Sequence, residues 1–415
     1  MPRKPRPRSC VVRVRPASGR GEAAMTSLTI HMGAADALYP PDTTLSLGTE
    51  NADARPGYLS ELTDSTWGTK VRRISNVTGR RNFYVSQVSF SKDGDRLIFF
   101  PGGGLRVLET VGWTDLGQMN AGGADRCQWS NLTNSLLYGT QDAAGEVRTT
   151  TGVVGVGWST YATFPGYGWV SMGYGMLSDN DWVALNCTVN SDRSGTARVY
   201  VYDLTNKAIK GYIDPGWAVG SAQISIDGNY VTLWKTSTGG EYVYAVPGSN
   251  TTCTPMTGGS YGADGLSRTY GSHYCMAKLA DGTPVSVTLG GGGLIYRLDD
   301  NTSSALFTAG NTAFTYGAGG HLAFTNRNYP GWILASSGVD NGYRGVEQIV
   351  AVQLDGSGTV RVYAEAHSCR VITAASYDAT PFAISNRDMT KVVWGSAWDG
   401  DEVNDLYAFV AGVTT

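Results

Sequence analysis

The stretch Ala222-Gln223-Ile224-Ser225-Ile226-Asp227-Gly228-Asn229-Tyr230-Val231-Thr232-Leu233-Trp234 decides the fold. It runs as a short strand, turns through Ser-Ile-Asp-Gly, and returns on a strongly apolar strand. Asp-Gly joins an aspartate that hydrogen-bonds its own backbone to a residue free to take positive φ, which suits a tight turn between antiparallel strands. A third strand, Glu241–Val246, is expected next.

Working outward, the same unit recurs. Clear copies are Val88–Phe90 with Ser91-Lys92-Asp93-Gly94 and Arg96–Phe100, and Tyr274–Lys278 with Asp281-Gly282, Pro284–Thr288 and Leu294–Leu298. The last is Phe382–Ile384 with Ser385-Asn386-Arg387-Asp388, Lys391–Trp394 and Asp405–Val410. Weaker copies start at Cys127–Trp129, Val170–Tyr174 and Leu322–Phe324, which makes seven units about 40 to 60 residues apart. A lone meander leaves an apolar face uncovered, and stacking such meanders radially covers it. No apolar i, i+3, i+4 series persists past a Gly or Pro, so no helix is expected. The expectation is an all-β, seven-bladed β-propeller over 69–415, closed by Thr69–Asn76 lying beside the last blade. Before it come a basic disordered extension, 1–24, and an irregular segment, 25–68, with Met25 as a second candidate start.

The 55 glycines have no collagen period and sit between short apolar runs, as turn residues do. The net charge of −3 conceals an asymmetry: residues 1–24 hold seven cations and Glu22, leaving 25 cations and 34 anions, a net −9, for the rest. An acidic body argues against nucleic acid as a partner of the propeller. No stretch approaches the ~20 apolar residues of a membrane helix. The basic head has no apolar core of a secretory signal, so a soluble chain is expected, the cytoplasm being favoured. The six cysteines are scattered without a CxxC, which reads as core thiols rather than a zinc knuckle.

A propeller gathers its loops at the two ends of a channel, so function is sought at the strand entries. His273 and His321 precede the first strands of the fifth and sixth units, and His367 lies upstream of the seventh. Three converging imidazoles are a candidate divalent-metal site; singly, each is as readily a turn cap. Arg80, Arg81, Arg268 and Arg370 stand near entries and suit bidentate pairing of carboxylates, or plain solvation. Tyr270, Tyr274 and Tyr377 add phenols. Trp332 and Trp398 offer faces on which sugars stack, whereas Trp394 reads as core. Gly102-Gly103-Gly104 and Gly290–Gly293 precede no helix and are not phosphate loops. No nucleophile elbow of a hydrolase domain is present.

Arg80-Arg81-Asn82-Phe83-Tyr84 followed by Ser91-Lys92-Asp93-Gly94 resembles the first blade of bacterial oligogalacturonate lyases, within the wider set of TolB- and WD40-like propeller repeats. Ser272-His273-Tyr274, Gly320-His321-Leu322, Ala366-His367-Ser368 and Trp394-Gly395-Ser396-Ala397-Trp398-Asp399-Gly400 are similar to later blades of that family. The resemblance spans about 330 residues, with the histidine placements its specific part. It implies cleavage of an acidic (uronate) oligosaccharide by β-elimination, a divalent metal, typically manganese, acidifying the C–H beside the carboxylate. By that resemblance His273, His321 and Asp378 hold the metal and His367, Tyr377 and Arg81 are catalytic. Arg80, Arg370, Arg268 and Trp398 then bind substrate.

Three positions depart from the family's pattern. Asp378-Ala379-Thr380-Pro381 replaces a His-Pro-His-Pro entry, Arg80 replaces the first-entry histidine, and the family's basic histidine falls near Gly220-Ser221. The competing expectation is a non-catalytic propeller scaffold binding carbohydrate or protein, at a cell surface or in a virion.

Overall fold

The computed structural model describes residues 53–410 apart from 66–68, 76–79, 82–86, 102–103, 120–125, 141–144, 174, 196, 238–239, 258–265, 270–273, 289–292, 307–320, 337–347, 358, 366–380, 397 and 399–404. For 80–81, 100–101, 266–269, 360–362, 365 and 405–410 it describes the backbone alone. Regular structure among the described residues is strand, with no helix and hence no membrane-spanning helix.

The strands follow the hairpin pattern. Tyr274–Lys278, Pro284–Thr288 and Asp405–Val410 form over the expected bounds, and Val219–Ile224 pairs with Tyr230–Lys235 across the turn that opened the reading. In that turn Gly228 N donates to Ser225 O at 3.0 Å, while Ser225 Oγ and Asn229 N donate to the Asp227 carboxylate. Gly94, Gly228 and Gly282 take φ of 68°, 82° and 92°, as the Asp-Gly turns require.

Among the described residues the strands assemble into seven antiparallel sheets. The first holds Arg80–Arg81, Arg96–Pro101, Arg106–Glu109 and Thr114–Gln118. The second holds Arg126–Trp129, Leu137–Thr140, Glu146–Thr150 and Ser159–Thr163. The third holds Trp169–Ser171, Trp182–Thr188, Ala197–Asp203 and Ala208–Ile213. The fourth is Val219–Ile224, Tyr230–Lys235, Gly240–Ala245 and an outer edge made of two pieces, Thr254–Pro255 and Leu266–Thr269. The fifth is Tyr274–Lys278, Pro284–Thr288, Leu294–Arg297 and Ser303–Ala305. The sixth is His321–Ala323, Trp332–Ser336, Gln348–Gln353 and Val360–Glu365. The seventh combines Ile384–Ser385, Lys391–Ser396 and Asp405–Val410 with Lys70–Arg73 and Glu61–Thr63. The closing strand expected over Thr69–Asn76 is thus Lys70–Arg73, with Val71 opposite Phe409 and Arg73 opposite Tyr407. Glu61–Thr63, upstream of Thr69, extends the same sheet.

Among the described residues five apolar clusters join neighbouring sheets. They link first to second through Ile98 and Trp129, second to third through Tyr138 and Leu185, and third to fourth through Val199 and Leu233. A fourth cluster joins the fourth, fifth and sixth sheets through Val243, Val287 and Ile333. The fifth joins the sixth, seventh and first through Leu334, Trp394 and Leu97. The sheets therefore close into a ring, and the molecule is an all-β propeller. First strands are buried, while fourth strands such as Ser159–Thr163 and Ser303–Ala305 are largely exposed, so the first strands face the axis. Trp394, read as core, is fully buried.

Candidate functional site at the strand-entry end of the channel

Turns between the first and second strands project from one end of the channel, and across it they bond to one another. Arg387 of the seventh sheet donates to Asn131 O and Oδ1 of the second, both at 2.7 Å. Arg327 of the sixth donates to Leu177 O and pairs with Asp179 of the third at 3.4 Å. Lys278 of the fifth reaches the other Asp179 oxygen at 2.9 Å. Beneath them Asp181, 1% exposed, accepts from Ser130 Oγ and Asn131 N. Burial pushes the Arg327 guanidinium down to about 10, so it remains charged at neutral pH, while Asp179 favours the charge. Burial pushes the Asp181 carboxyl up despite these donors. This end carries a cross-braced floor.

Five of the ten residues expected from the sequence, His273, His367, Arg370, Tyr377 and Asp378, lie outside the described residues. The spacing of the three histidines therefore falls outside them too. Arg80 and Arg81 form the entry strand of the first sheet, opposite Pro101 and Phe100. Arg268 sits on the outer edge of the fourth sheet, opposite Glu241 and away from the axis strand.

His321 begins the axis strand of the sixth sheet. It is 2% exposed, with its ring 4.3 Å from that of Phe382. Trp398 is 8% exposed, and its Nε1 donates to Asp53 O at 3.0 Å, so its ring is packed under the N-terminal segment. Among the described residues no three His, Cys, Asp or Glu side chains gather into a metal set.

What the entry end does hold is a cavity of about 80 Å³ between the second, third and fourth sheets. Arg126 enters it from the start of an axis strand, and Trp169 and Ser171 from the next. Asn186 comes from the end of Trp182–Thr188, Arg193 from the turn that follows, and Gly220 and Ser221 from the fourth sheet. The Arg193 guanidinium lies 5.3 Å over the Trp169 ring. Sequence reasoning missed Arg126, Arg193 and Asn186, because they come from three different strands or turns with no shared spacing. The cavity includes Gly220-Ser221, where the resemblance places a basic histidine. An added Cβ at Gly220 would lie 2.1 Å from Trp234 Cε3, so no side chain fits there without moving the indole.

A wider groove of about 340 Å³ lies on the outer rim, lined by Tyr167, Tyr200, Tyr202 and Lys207. Nearby, Arg198 rests on Tyr212 and pairs with both Asp214 oxygens at 2.6 Å.

Fold and cavity together define an all-β propeller whose first-turn end is cross-braced over the channel. No family model matches the chain, and no curated protein does. Among solved structures it is similar to the oligogalacturonate lyase of Vibrio parahaemolyticus, at 14% identity and a TM-score of 0.57, covering 84% of this chain and 95% of that one. It is also similar to an oligogalacturonate lyase in complex with manganese, at 15% identity and a TM-score of 0.59, covering 86% and 97%. At these identities the likeness is one of fold.

Proposed function

We propose that each of the seven sheets is one blade, and that the ring binds an acidic oligosaccharide at its strand-entry end. The observation that carries this is the entry-end cavity, where Arg126 and Arg193 bring two guanidinium groups to one recess of an otherwise acidic body. The likeness in fold to oligogalacturonate lyases supports it.

The enzymatic form of the proposal is a polysaccharide lyase. His367, Tyr377 and Arg81 would then be catalytic, Arg80, Arg370, Arg268 and Trp398 would bind substrate, and His273, His321 and Asp378 would hold manganese. Such a metal would acidify the proton beside the uronate carboxylate. The described residues do not fit that set well: His321 is buried against Phe382, and Gly220 has no room for a base. No step of the proposed binding passes through a metal. These two features favour a second reading, a saccharide-binding scaffold without lyase activity.

The test is calorimetric titration with oligogalacturonates and with neutral oligogalactosides, beside an absorbance assay for unsaturated uronate with and without manganese. Selective binding of the acidic oligosaccharide is expected, and equal binding of the neutral one, or none of either, overturns the proposal. Binding with no absorbance signal identifies the scaffold, and a manganese-dependent signal identifies the lyase.

A further inference from the structure

We propose that the outer-rim groove between the second and third sheets docks a proline-rich peptide that carries an acidic residue. The groove lies outside the entry-end cavity, and the inference does not depend on the saccharide reading.

Aromatic rings form the walls. Tyr200 and Tyr202 stand two apart on Ala197–Asp203 and so share the face that packs toward the second sheet. Phe164 lies against both, with ring centroids 5.6 and 5.3 Å away, and Tyr167 meets Tyr200 edge-on at 6.0 Å. Arg198 lies 5.7 Å over the Tyr200 ring and is itself clamped by both Asp214 oxygens. The rings are therefore set before any ligand arrives, which lowers the entropy lost on binding. Fixed aromatic ridges are the surface on which extended, left-handed proline-rich segments pack. A groove of about 340 Å³ suits a short stretch of such a chain.

The polar groups select among ligands. Lys207 lines the groove with its Nζ 4.1 Å over the Tyr161 ring, and it pairs with no carboxylate among the described residues. The Asn250 side chain, exposed, and the Tyr202 hydroxyl bond to no described residue. Among the described residues no carboxylate lines the groove. An ammonium donates only, and an amide and a phenol donate as well. A polyproline backbone presents carbonyls and no N–H, so it asks for donors alone. A saccharide brings as many donors as acceptors, and the lining has no carboxylate to receive them.

Lys207 also sets the sign. It takes φ of 52° in a turn tied by the Asp203 carboxylate accepting from Asn206 N at 2.9 Å. A cation held at that point on an acidic body favours an anion beside the prolines. The chain's own head, 1–24, brings prolines but seven cations, which is the wrong charge for this position.

Fluorescence anisotropy on the full chain at low salt tests this with short labelled peptides. One is prolines around a central glutamate, a second has lysine in its place, and a third is glycine and serine around the same glutamate. Unlabelled maltohexaose is the competitor. The proline–glutamate peptide is expected to bind at least about threefold more tightly than the lysine peptide and about 10-fold more tightly than the glycine–serine one. Lys207→Gln should erase the difference between the glutamate and lysine peptides while both still bind. Asn250→Ala should weaken both by about 2- to 10-fold, as loss of a hydrogen bond does. Both side chains are exposed and without a hydrogen bond among the described residues, so thermal midpoints should stay at the wild-type value. Preference for the lysine or the glycine–serine peptide, or binding of none, overturns the proposal. Displacement of the peptide by maltohexaose makes the groove a saccharide platform and overturns it as well. An unchanged preference in Lys207→Gln together with unchanged affinity in Asn250→Ala puts the peptide elsewhere and also overturns it.

Discussion

Gly220 shows how one residue constrains the site. It lies at a shift in register between Val219, opposite Lys235, and Ser221, opposite Trp234, and the missing Cβ is what lets the indole lie against the backbone. Gly220→Ala is expected to cost about 1–3 kcal/mol, the usual penalty for forcing atoms into a packed contact. Urea unfolding measures it, and a loss within ~0.3 kcal/mol of zero would show that the indole moves freely. The residue scale is also where reading by pattern divides most sharply. Trp394 sits in an apolar run and is core, as that run implies. Trp398 follows Ser-Ala in a polar stretch and reads as an exposed sugar platform, yet it is buried because Asp53, 345 positions away, covers its ring nitrogen. Nothing local to Trp398 announces that partner.

At the scale of the element, hairpin turns give much of the order. The turn joining Ala197–Asp203 to Ala208–Ile213 is held by Asp203, whose carboxylate accepts from Asn206 N at 2.9 Å and Asn206 Nδ2 at 2.8 Å and pairs with Lys210 at 3.2 Å. Burial alone would raise this carboxyl, but Asn206 and Lys210 outweigh it and hold the group below its ordinary value. A carboxylate whose folded pKa is lowered adds stability above its unfolded pKa, about 3.9, and loses it as pH falls through the folded value. Asp203→Asn should therefore lower stability at pH 7 by about 1–3 kcal/mol and flatten the loss seen below about pH 4. Denaturant midpoints taken at both pH values decide it, and an unchanged acid limb in the variant counts against the assignment.

Strands themselves were legible, since period-2 alternation and Asp-Gly turns act over a few residues. The fourth sheet's outer edge was not. Its two pieces, Thr254–Pro255 and Leu266–Thr269, are too short to carry a pattern and are defined by pairing with Gly240–Ala245.

Across the whole molecule, ring closure is secured twice. Lys70–Arg73 completes the last sheet, and Lys391 donates to Gly94 O at 2.9 Å and Thr110 Oγ1 at 2.8 Å, tying the seventh sheet to the first. The channel floor adds bonds between sheets that are not neighbours. Arg327→Met should cost about 1–3 kcal/mol, because it removes the bonds to Leu177 O and Asp179 from a buried side chain, while Asp179, 39% exposed, stays solvated and paired with Lys278. A thermal melt reads this loss. A wild-type midpoint would mean that Lys278 alone suffices for Asp179.

By itself the sequence determined a repeating antiparallel meander, its turns and its closing strand, because hairpin geometry and alternation are local and recur along the chain. Only the tertiary structure decided that Arg327 crosses the channel to Asp179. It alone buried His321 against Phe382, and it alone brought Arg126, Asn186 and Arg193 around one cavity. Those groups meet through the curvature of the ring, which sums small rotations between sheets, and no spacing within any one unit encodes where that sum brings two side chains together.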